Sequence, residues 1–481
     1  MDSGQLFVVA NDLLLVLLAF AVLGLDLFLP CERKRLAGYF ALAGLLIMFV
    51  LQIFVFGKPG TAFGGIYVQD QIAIWFKRLF YISGILTVLL SLDVVHNRAK
   101  HLRASNIFQG EYFGLLLFVL AGMNFLVSAN ELVFLYVALE LCTIPLYILV
   151  AYHRGDAKCA EAGLKYVIIG ALSSGFLLYG FSLIYGLTGT THIGELAQSL
   201  TWSPLMIAAT AMMLAGLGFK ITMVPFHVWA ADVYEGAPTP VTAFLSVGSK
   251  AAGLAVMLKI FYVALGQTVE HWSLVIAILA TATMTFGNAV AIVQTNMKRM
   301  LAYSSIAQAG YILVAFIGVS QLGLASIVYY ILIYIVTNLA AFAVVIVYYN
   351  HTGKENIEDY AGMSQSNPGL ALILMLAMFS LGGIPPLAGF VGKFYLFSAA
   401  AEYGYYWLIF VGALNSTASL YYYLRVVRAA YILPAKEDAP QKFKISPALM
   451  TALLMTTAGM LVFGLLPQFF DSMMKAAALW F

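Results

Sequence analysis

The sequence predicts an all-α polytopic membrane protein of about fourteen transmembrane helices, the seventh and twelfth of them discontinuous. Three observations predict it. Apolar residues make up 62% of the 481 positions, charged residues only 10%, and the mean hydropathy is +0.92. A soluble domain would carry about a quarter charged residues. Apolar runs of spanning length recur between polar turns along the whole chain. Two of these runs, Pro204 to Glu235 and Leu370 to Ala401, are too long, since 32 residues of unbroken helix would measure about 48 Å against a hydrocarbon core of about 30 Å. Pro225 in the first and Pro385-Pro386 in the second supply the break, because proline lacks a donor and clashes with the preceding turn.

Dividing the apolar runs at polar turns places spans near residues 6–30, 36–56, 73–95, 112–129, 131–152, 163–187, 204–235, 240–264, 272–293, 300–319, 323–349, 369–401, 405–432 and 446–466. The first begins without a basic flank, exceeds the length of a signal h-region and lacks a small-residue cleavage site, so it reads as a retained helix. Pro225 and Pro386 lie about 160 residues apart, and each broken span falls fourth in a run of five. Five is odd, so the two runs enter the bilayer from opposite sides. The chain therefore reads as one membrane domain, 1–481, with three N-terminal helices (1–111), a first five-helix repeat (112–265), a second, inverted five-helix repeat (272–432), and a C-terminal helix and tail (446–481).

Orientation follows from lysine and arginine, which accumulate in cytoplasmic loops. One set of alternate loops holds Arg33, Lys34, Arg35, Arg98, Lys100, Arg103, Arg154, Lys158, Lys165, Lys298, Arg299, Lys354, Lys436, Lys442 and Lys444, and the other holds Lys58 and Lys475. Lys77 and Arg78 sit near one end of the third span, where their stems are expected to snorkel outward. Both termini are thus expected on the outer, periplasmic side of a multi-pass plasma-membrane protein. The net charge of +3 is a topology signal and does not resemble a nucleic-acid-binding surface.

The three cysteines, Cys31, Cys142 and Cys159, have no spacing suited to an iron-sulfur cluster, zinc or a disulfide framework. No dinucleotide fingerprint or phosphate-cradling glycine loop is present in a strand-to-helix context. Neither a cofactor nor a metal is expected on this chain.

The ionisable residues inside the spans are the candidate functional groups. Glu140 lies nine residues beyond the polar Asn130-Glu131 turn, or about 13 Å deep. Lys220 precedes the break at Pro225, Lys250 lies within the eighth span, and Lys393 follows Pro385-Pro386. Each such charge costs about 2.5–3.5 kcal/mol at the bilayer centre, or about 10–14 kcal/mol for the four. A structural ion pair accounts for Glu140 with Lys220 but leaves Lys250 and Lys393 without an intramembrane carboxylate. A desolvated lysine loses its proton far more readily than one in water, which suits it to carrying protons. Lys259, nearer the outer end of the eighth span, is expected to snorkel. His227, just after Pro225, either titrates or satisfies carbonyls freed by the break. Gly382-Gly383 and Gly389 permit non-helical backbone and close approach around the second break. The Tyr421-Tyr422-Tyr423 run reads as core filler.

These residues stand in recognisable company. Leu139-Glu140-Leu141 with Pro145-Leu146, Gly218-Phe219-Lys220 with Val224-Pro225-Phe226-His227, Trp229 with Asp232-Val233-Tyr234-Glu235-Gly236-Ala237-Pro238-Thr239-Pro240, Ser249-Lys250, Lys298-Arg299 with Tyr303-Ser304-Ser305, and Gly383-Ile384-Pro385-Pro386 with Gly389-Phe390 and Lys393-Phe394 together resemble one family. It is the family of antiporter-like membrane subunits of respiratory complex I and of multisubunit cation/proton antiporters. The resemblance covers residues 112–432. Within it the chain is most similar to the N-type branch, to which mitochondrial NADH dehydrogenase subunit two belongs. It lacks the long lateral helix of the L type, and it has Lys393 where the M type carries glutamate.

The resemblance implies a proton-translocating membrane-arm subunit of NADH:quinone oxidoreductase, driven by redox chemistry elsewhere. It implies NADH, FMN, iron-sulfur clusters and quinone on partner subunits, and M-, L-, K-, J- and A-type membrane subunits as neighbours in the bacterial inner membrane. It makes Glu140 and Lys220 a charge pair, Lys250 the central relay and Lys393 the outward terminus. Relatives often carry a histidine where this chain has Gln308, which cannot titrate, so the link from Lys250 to Lys393 is expected to run through water, Gln308 and Tyr311. The competing expectation is a subunit of an Mrp-type cation/proton antiporter with no oxidoreductase partner.

Overall fold

Three long helices open the chain: α1 (Ser3–Phe28), α2 (Arg35–Phe54) and α3 (Gln71–His101). Between the last two, a small hairpin pairs β1 (Gly60–Ala62) antiparallel with β2 (Tyr67–Gln69), Gly60 opposite Gln69. The computed structural model describes residues 3–30, 33–101, 109–153, 155–200, 202–435, 442–466 and 468–480. Cys31, Arg103, Arg154 and Lys436 lie outside the described residues, as do the side chains of Arg98 and Lys100.

Next come α4 (Gln109–Ser128), α5 (Leu132–Val150), α6 (Ala157–Thr188), a short α7 (Ile193–Ser199) and α8 (Pro204–Ile221). Glu131 caps α5 by accepting from the Phe134 amide at 2.7 Å, and Ser203 caps α8 by accepting from Met206 at 3.2 Å. The seventh span breaks where expected. Thr222 ends α8 in the left-handed region, with φ 61°, the Val224-Pro225 bond is cis, and helix resumes in α9 (Ala230–Gly236). The eighth span is α10 (Thr239–Phe244) and α11 (Lys250–Leu258), joined by a π-helical turn at Leu245–Ser249 and extended by another at Lys259–Ala264. Such wide turns re-aim side chains and recur at functional sites.

The second half holds α12 (Val269–Val293), α13 (Met297–Val314), α14 (Gln321–Thr352), the one-turn α15 (Met363–Ser366), then α16 (Pro368–Gly382), α17 (Ala388–Glu402) and α18 (Tyr406–Tyr431). The twelfth span breaks between α16 and α17, where Gly383 takes φ 85° and Pro385-Pro386 is cis. The chain closes with α19 (Pro447–Leu465) and α20 (Gln468–Ala478).

Every expected span coincides with helix. Among the described residues, eleven helices are long and apolar enough to cross a membrane. The stretches that fall short are α13, which begins with Lys298 and Arg299, the two pieces of the broken twelfth span, and α18.

The two halves share local features at a constant offset of about 164 residues. Single β-bridges tie Glu131 to His192 and Asn296 to Asn356. Helices α6 and α14 each run 32 residues and end on left-handed glycines, Gly189 and Gly353. Gly122 lets α4 lie against the backbone of α5, and Gly287 does the same for α12 against α13; a Cβ at either would sit 2.5–2.6 Å from a backbone nitrogen.

The spanning stretch of α14 is wholly buried, packed among α3, α10, α16, α17, α19 and α20. Outward faces carry large apolar side chains, among them Leu17, Ile47, Ile168, Leu172 and Phe410, as a lipid-facing surface requires.

Candidate functional site: a line of buried lysines

Lys220, Lys250 and Lys393 are all buried, and each is held by oxygens rather than by a carboxylate. Lys220 ends α8 one residue before Ile221, so its ammonium emerges beside the break and donates to the Thr143 hydroxyl on α5. Thr143 Oγ1 in turn donates to the Leu139 carbonyl at 2.6 Å. The stem of Lys220 lies against Gly253, one turn beyond Lys250 on α11, where a Cβ would come within 3.0 Å of the Lys220 Cβ.

Lys250 follows the first π turn and points to α13, donating to the Ser305 carbonyl at 2.6 Å and its hydroxyl at 2.9 Å. The adjacent Ser304 shares a 2.6 Å hydrogen bond with Tyr423 on α18. One turn further along α13, Gln308 Nε2 donates to Tyr423 Oη and to the Leu381 carbonyl, both at 3.1 Å, while its Oε1 accepts from Tyr330. Leu381 closes α16 at the second break. Its carbonyl also accepts from Lys393 at 3.1 Å, and Lys393 further donates to the Gly382 carbonyl at 3.2 Å and to Ser416 Oγ at 2.9 Å. The Tyr311 ring lies beneath the Lys393 ammonium, 4.5 Å from its centre, an attraction of the cation–π kind.

The breaks make this possible. A helix that stops inside the core frees its last carbonyls, and at the second break Leu381 and Gly382 present theirs to an ammonium that would otherwise be stranded in hydrocarbon. Gly389 fits α17 against the end of α16, since a Cβ there would lie 1.7 Å from the Ser380 carbonyl oxygen.

Several expectations need correction. Glu140 and Lys220 are not an ion pair: Glu140 is half-buried, its Oε1 has no hydrogen-bond partner, and Lys220 bonds Thr143 instead. Glu140 shares its face of α5 with the outward-pointing Val133, Val137, Ile144 and Ile148. Lys259 does not snorkel; it is 7% exposed, because the second π turn aims it inward to the Ala129 carbonyl at 2.8 Å. Lys77 does not snorkel either. It is 0% exposed and pairs with Asp12 at 2.8 Å, because its side of α3 faces α1 and the hairpin rather than lipid. Arg78 lies over the Trp75 ring.

The structure does not bring His227 to the lysines; its ring packs edge-on against Phe286. The tyrosine run divides: Tyr421 faces outward, Tyr422 bonds Asn288 at 2.9 Å, and Tyr423 joins the line between Lys250 and Lys393. Tyr311 accepts from Asn288 at 3.1 Å. Sequence reasoning missed Thr143, Ser305 and Ser416 as lysine partners, and Tyr423 as the partner of Ser304 and Gln308; only their polarity within apolar spans marks them.

On the face that carries the basic loops, a cavity of about 810 Å³ opens between the halves, lined by Glu235, Pro238, Thr239, Lys298, Arg299 and Glu355 among others. Arg299 there bonds Asp232 at 3.0 Å and Glu235 at 2.8 Å, and Lys298 pairs with Glu355 at 2.7 Å. Deeper in, the hydroxyls of Tyr234 and Tyr334 and the Asn338 Oδ1 are buried without hydrogen-bond partners. Such orphaned atoms mark sites for internal water.

Residues 129–419 match the family model described as NADH:quinone oxidoreductase/Mrp antiporter, TM. The chain is 44% identical over 462 residues to NADH-quinone oxidoreductase subunit N of Desulforamulus reducens, covering 95% of each. It superposes with a TM-score of 0.80 and 33% identity on a chain of respiratory complex I from Thermus thermophilus with bound Aureothin, covering 95% of this chain and 97% of that one. A chain of the Mrp complex from Dietzia sp. DQ12-45-1b shares the fold, with a TM-score of 0.86 at 21% identity over 99% and 97% of the two chains. The line of buried lysines, the paired helix breaks and these matches agree: the chain belongs to the NADH:quinone oxidoreductase/Mrp antiporter membrane-subunit family and, within it, to the subunit N family of NADH-quinone oxidoreductase.

Proposed function

We propose that this subunit of NADH:quinone oxidoreductase moves protons from the cytoplasm to the periplasm along Glu140, Lys220, Lys250 and Lys393, driven by redox chemistry on partner subunits. The observation that carries the reading is the set of buried lysines each held by neutral oxygens: Lys220 by Thr143, Lys250 by Ser305, and Lys393 by Ser416 and by the Leu381 carbonyl that Gln308 shares. A buried ammonium held by neutral oxygens keeps its charge at high cost and gives up a proton readily. Moving one charge against the membrane potential costs about 2.3 kcal/mol per 100 mV, which the redox reaction supplies.

The cytoplasmic cavity and the unpartnered Tyr234, Tyr334 and Asn338 atoms support entry of protons toward Lys250. The constant offset between the halves supports fourteen crossings built from two five-helix repeats, and the basic loops support both termini outside. Glu140, on an outward apolar face, is suited to sensing charge on a neighbouring membrane subunit, such as an M-, L-, K-, J- or A-type chain. His227 has no step in this path. NADH, FMN, iron-sulfur clusters and quinone belong to partner subunits. The reading is tested by Lys220→Ala and Lys393→Ala in the assembled complex. Proton uptake into vesicles during NADH oxidation falls in each, and undiminished pumping in both rejects the assigned roles.

A further inference from the structure

The N-terminal helices hold a second buried charge cluster that this path does not use. Asp12 on α1 and Lys77 on α3 are both 0% exposed and lie 2.8 Å apart. Tyr67 donates to the same Asp12 oxygen at 2.6 Å, and Lys77 also donates to Tyr67 Oη at 2.6 Å and Gln69 Oε1 at 2.7 Å. Asn124 donates to the other Asp12 oxygen and to Tyr81 Oη, both at 3.2 Å, and Asn11 donates to Tyr81 at 3.1 Å. Three more buried polar atoms in this patch, Asn11 Oδ1, Gln52 Nε2 and Asn124 Oδ1, have no partner, so the patch has sites for water.

Lys259 joins the cluster from the π turn that follows α11. Its ammonium donates to the carbonyl of Ala129, whose backbone bridges to Tyr67 and whose neighbour Ser128 adjoins the Tyr67 hydroxyl. Half-buried Asp70 stands at the start of α3, capping Ala73 at 2.6 Å and accepting from Trp480 at 3.0 Å. The titratable groups facing the patch are thus Asp12 from α1, Tyr67 from β2, Asp70 from the turn before α3, Lys77 and Tyr81 from α3, and Lys259 from the π turn. All lie toward the hairpin end of the helices, opposite the basic loops. A buried pair is no better a staple than apolar side chains of the same volume, so packing alone does not account for it.

We infer that Asp12, Tyr67 and Lys77, with Lys259 as donor, form a proton-release station on the outer side of the chain. This rests on the reading of its buried lysines as proton carriers. A proton leaves Lys259 Nζ through water to the Tyr67 hydroxyl, which passes its own proton to Asp12, so that the ammonium becomes an amine and the carboxylate an acid. The Lys77 ammonium, charged throughout, favours return to the carboxylate, and the acid loses its proton past Asp70 to the outer water. Lys259 is reloaded from Lys250, nine residues earlier in the eighth span, so that the station is a second outlet beside Lys393.

The test uses the assembled complex in vesicles, measuring protons moved per NADH oxidised. The double variant Asp12→Asn with Lys77→Met removes both charges without stranding one, and Lys259→Met removes the donor. The ratio is expected to fall in both as far as it does in Lys393→Ala. A wild-type ratio in both, with a lowered ratio in Lys393→Ala, overturns the station and leaves the lysine relay standing. A wild-type ratio in all three overturns the relay reading as well. Should the double variant fail to assemble, Tyr67→Phe removes one hydroxyl and leaves both charges; a lowered ratio there supports the station and a wild-type ratio overturns it.

Discussion

Lys220 hydrogen-bonds Thr143, one turn along α5 from the Glu140 that charge pairing would select. The threonine hydroxyl, itself bonded to the Leu139 carbonyl, fixes where the ammonium sits. Thr143→Val keeps the shape and removes that partner. Hydrogen bonds to charged groups are worth about 1.5–3 kcal/mol, and the variant takes that interaction from the ammonium. Protons pumped per NADH are expected to fall in Thr143→Val and to recover in Thr143→Ser. An unchanged ratio in the valine variant removes Thr143 from the path.

Gln308 and Lys393 share one acceptor, the Leu381 carbonyl. Gln308→Leu strands that link and leaves Tyr423 and Tyr330 each short of a partner, at about 1–3 kcal/mol per buried group. Pumping in vesicles should drop several-fold with the leucine and be retained with Gln308→His, which restores a polar, titratable group. Equal pumping by the leucine and histidine variants would show that the connection runs elsewhere.

Gly389→Ala tests the second break. The added methyl would meet the Ser380 carbonyl oxygen at 1.7 Å, and a backbone atom cannot swing aside. The cost should exceed about 3 kcal/mol, the upper end of ordinary overpacking. Thermal unfolding of the detergent-solubilised protein reports it as a lowered midpoint. Gly369→Ala, whose methyl meets nothing within 4 Å, serves as the control.

Glu131 lies between spans and caps α5. Burial pushes its carboxyl up, but hydrogen bonds from Thr191 and from the Phe134 and Val133 amides outweigh this and hold it below the usual carboxylate range. A depressed value stabilises the fold at neutral pH and ceases to do so as pH falls through it. Glu131→Gln should cost about 0.3–1 kcal/mol at pH 7, the worth of a charge at a helix N-terminus. Unfolding midpoints of the two proteins should converge in acid; a gap independent of pH would mean that the charge is not involved.

Much of this architecture was legible before any coordinates. Run length gave the spans, and excess length with an internal proline gave both breaks, because bilayer thickness is a fixed ruler. The same ruler gives a side chain's depth but not its azimuth. Depth alone puts Lys259 and Lys77 at the membrane edge, whereas the π turn and the packing of α3 against α2 and α4 aim them inward. Lys220, Lys250 and Lys393 were found by charge, but their partners are hydroxyls and carbonyls, which every helix carries, so only tertiary packing singles out Thr143, Ser305 or Leu381.

Helix α14 touches no lipid along its spanning length and packs against α3 and α10 on one side and α16 and α17 on the other. A rod enclosed on all sides at crystal-like density has no compliant medium to yield into. A slide or rotation of α17, which carries Lys393, presses on this axle, and the axle in turn bears on α3, α10 and the π turn before Lys250. Between the second break and the N-terminal helices there is thus solid protein, with no lipid to absorb a movement.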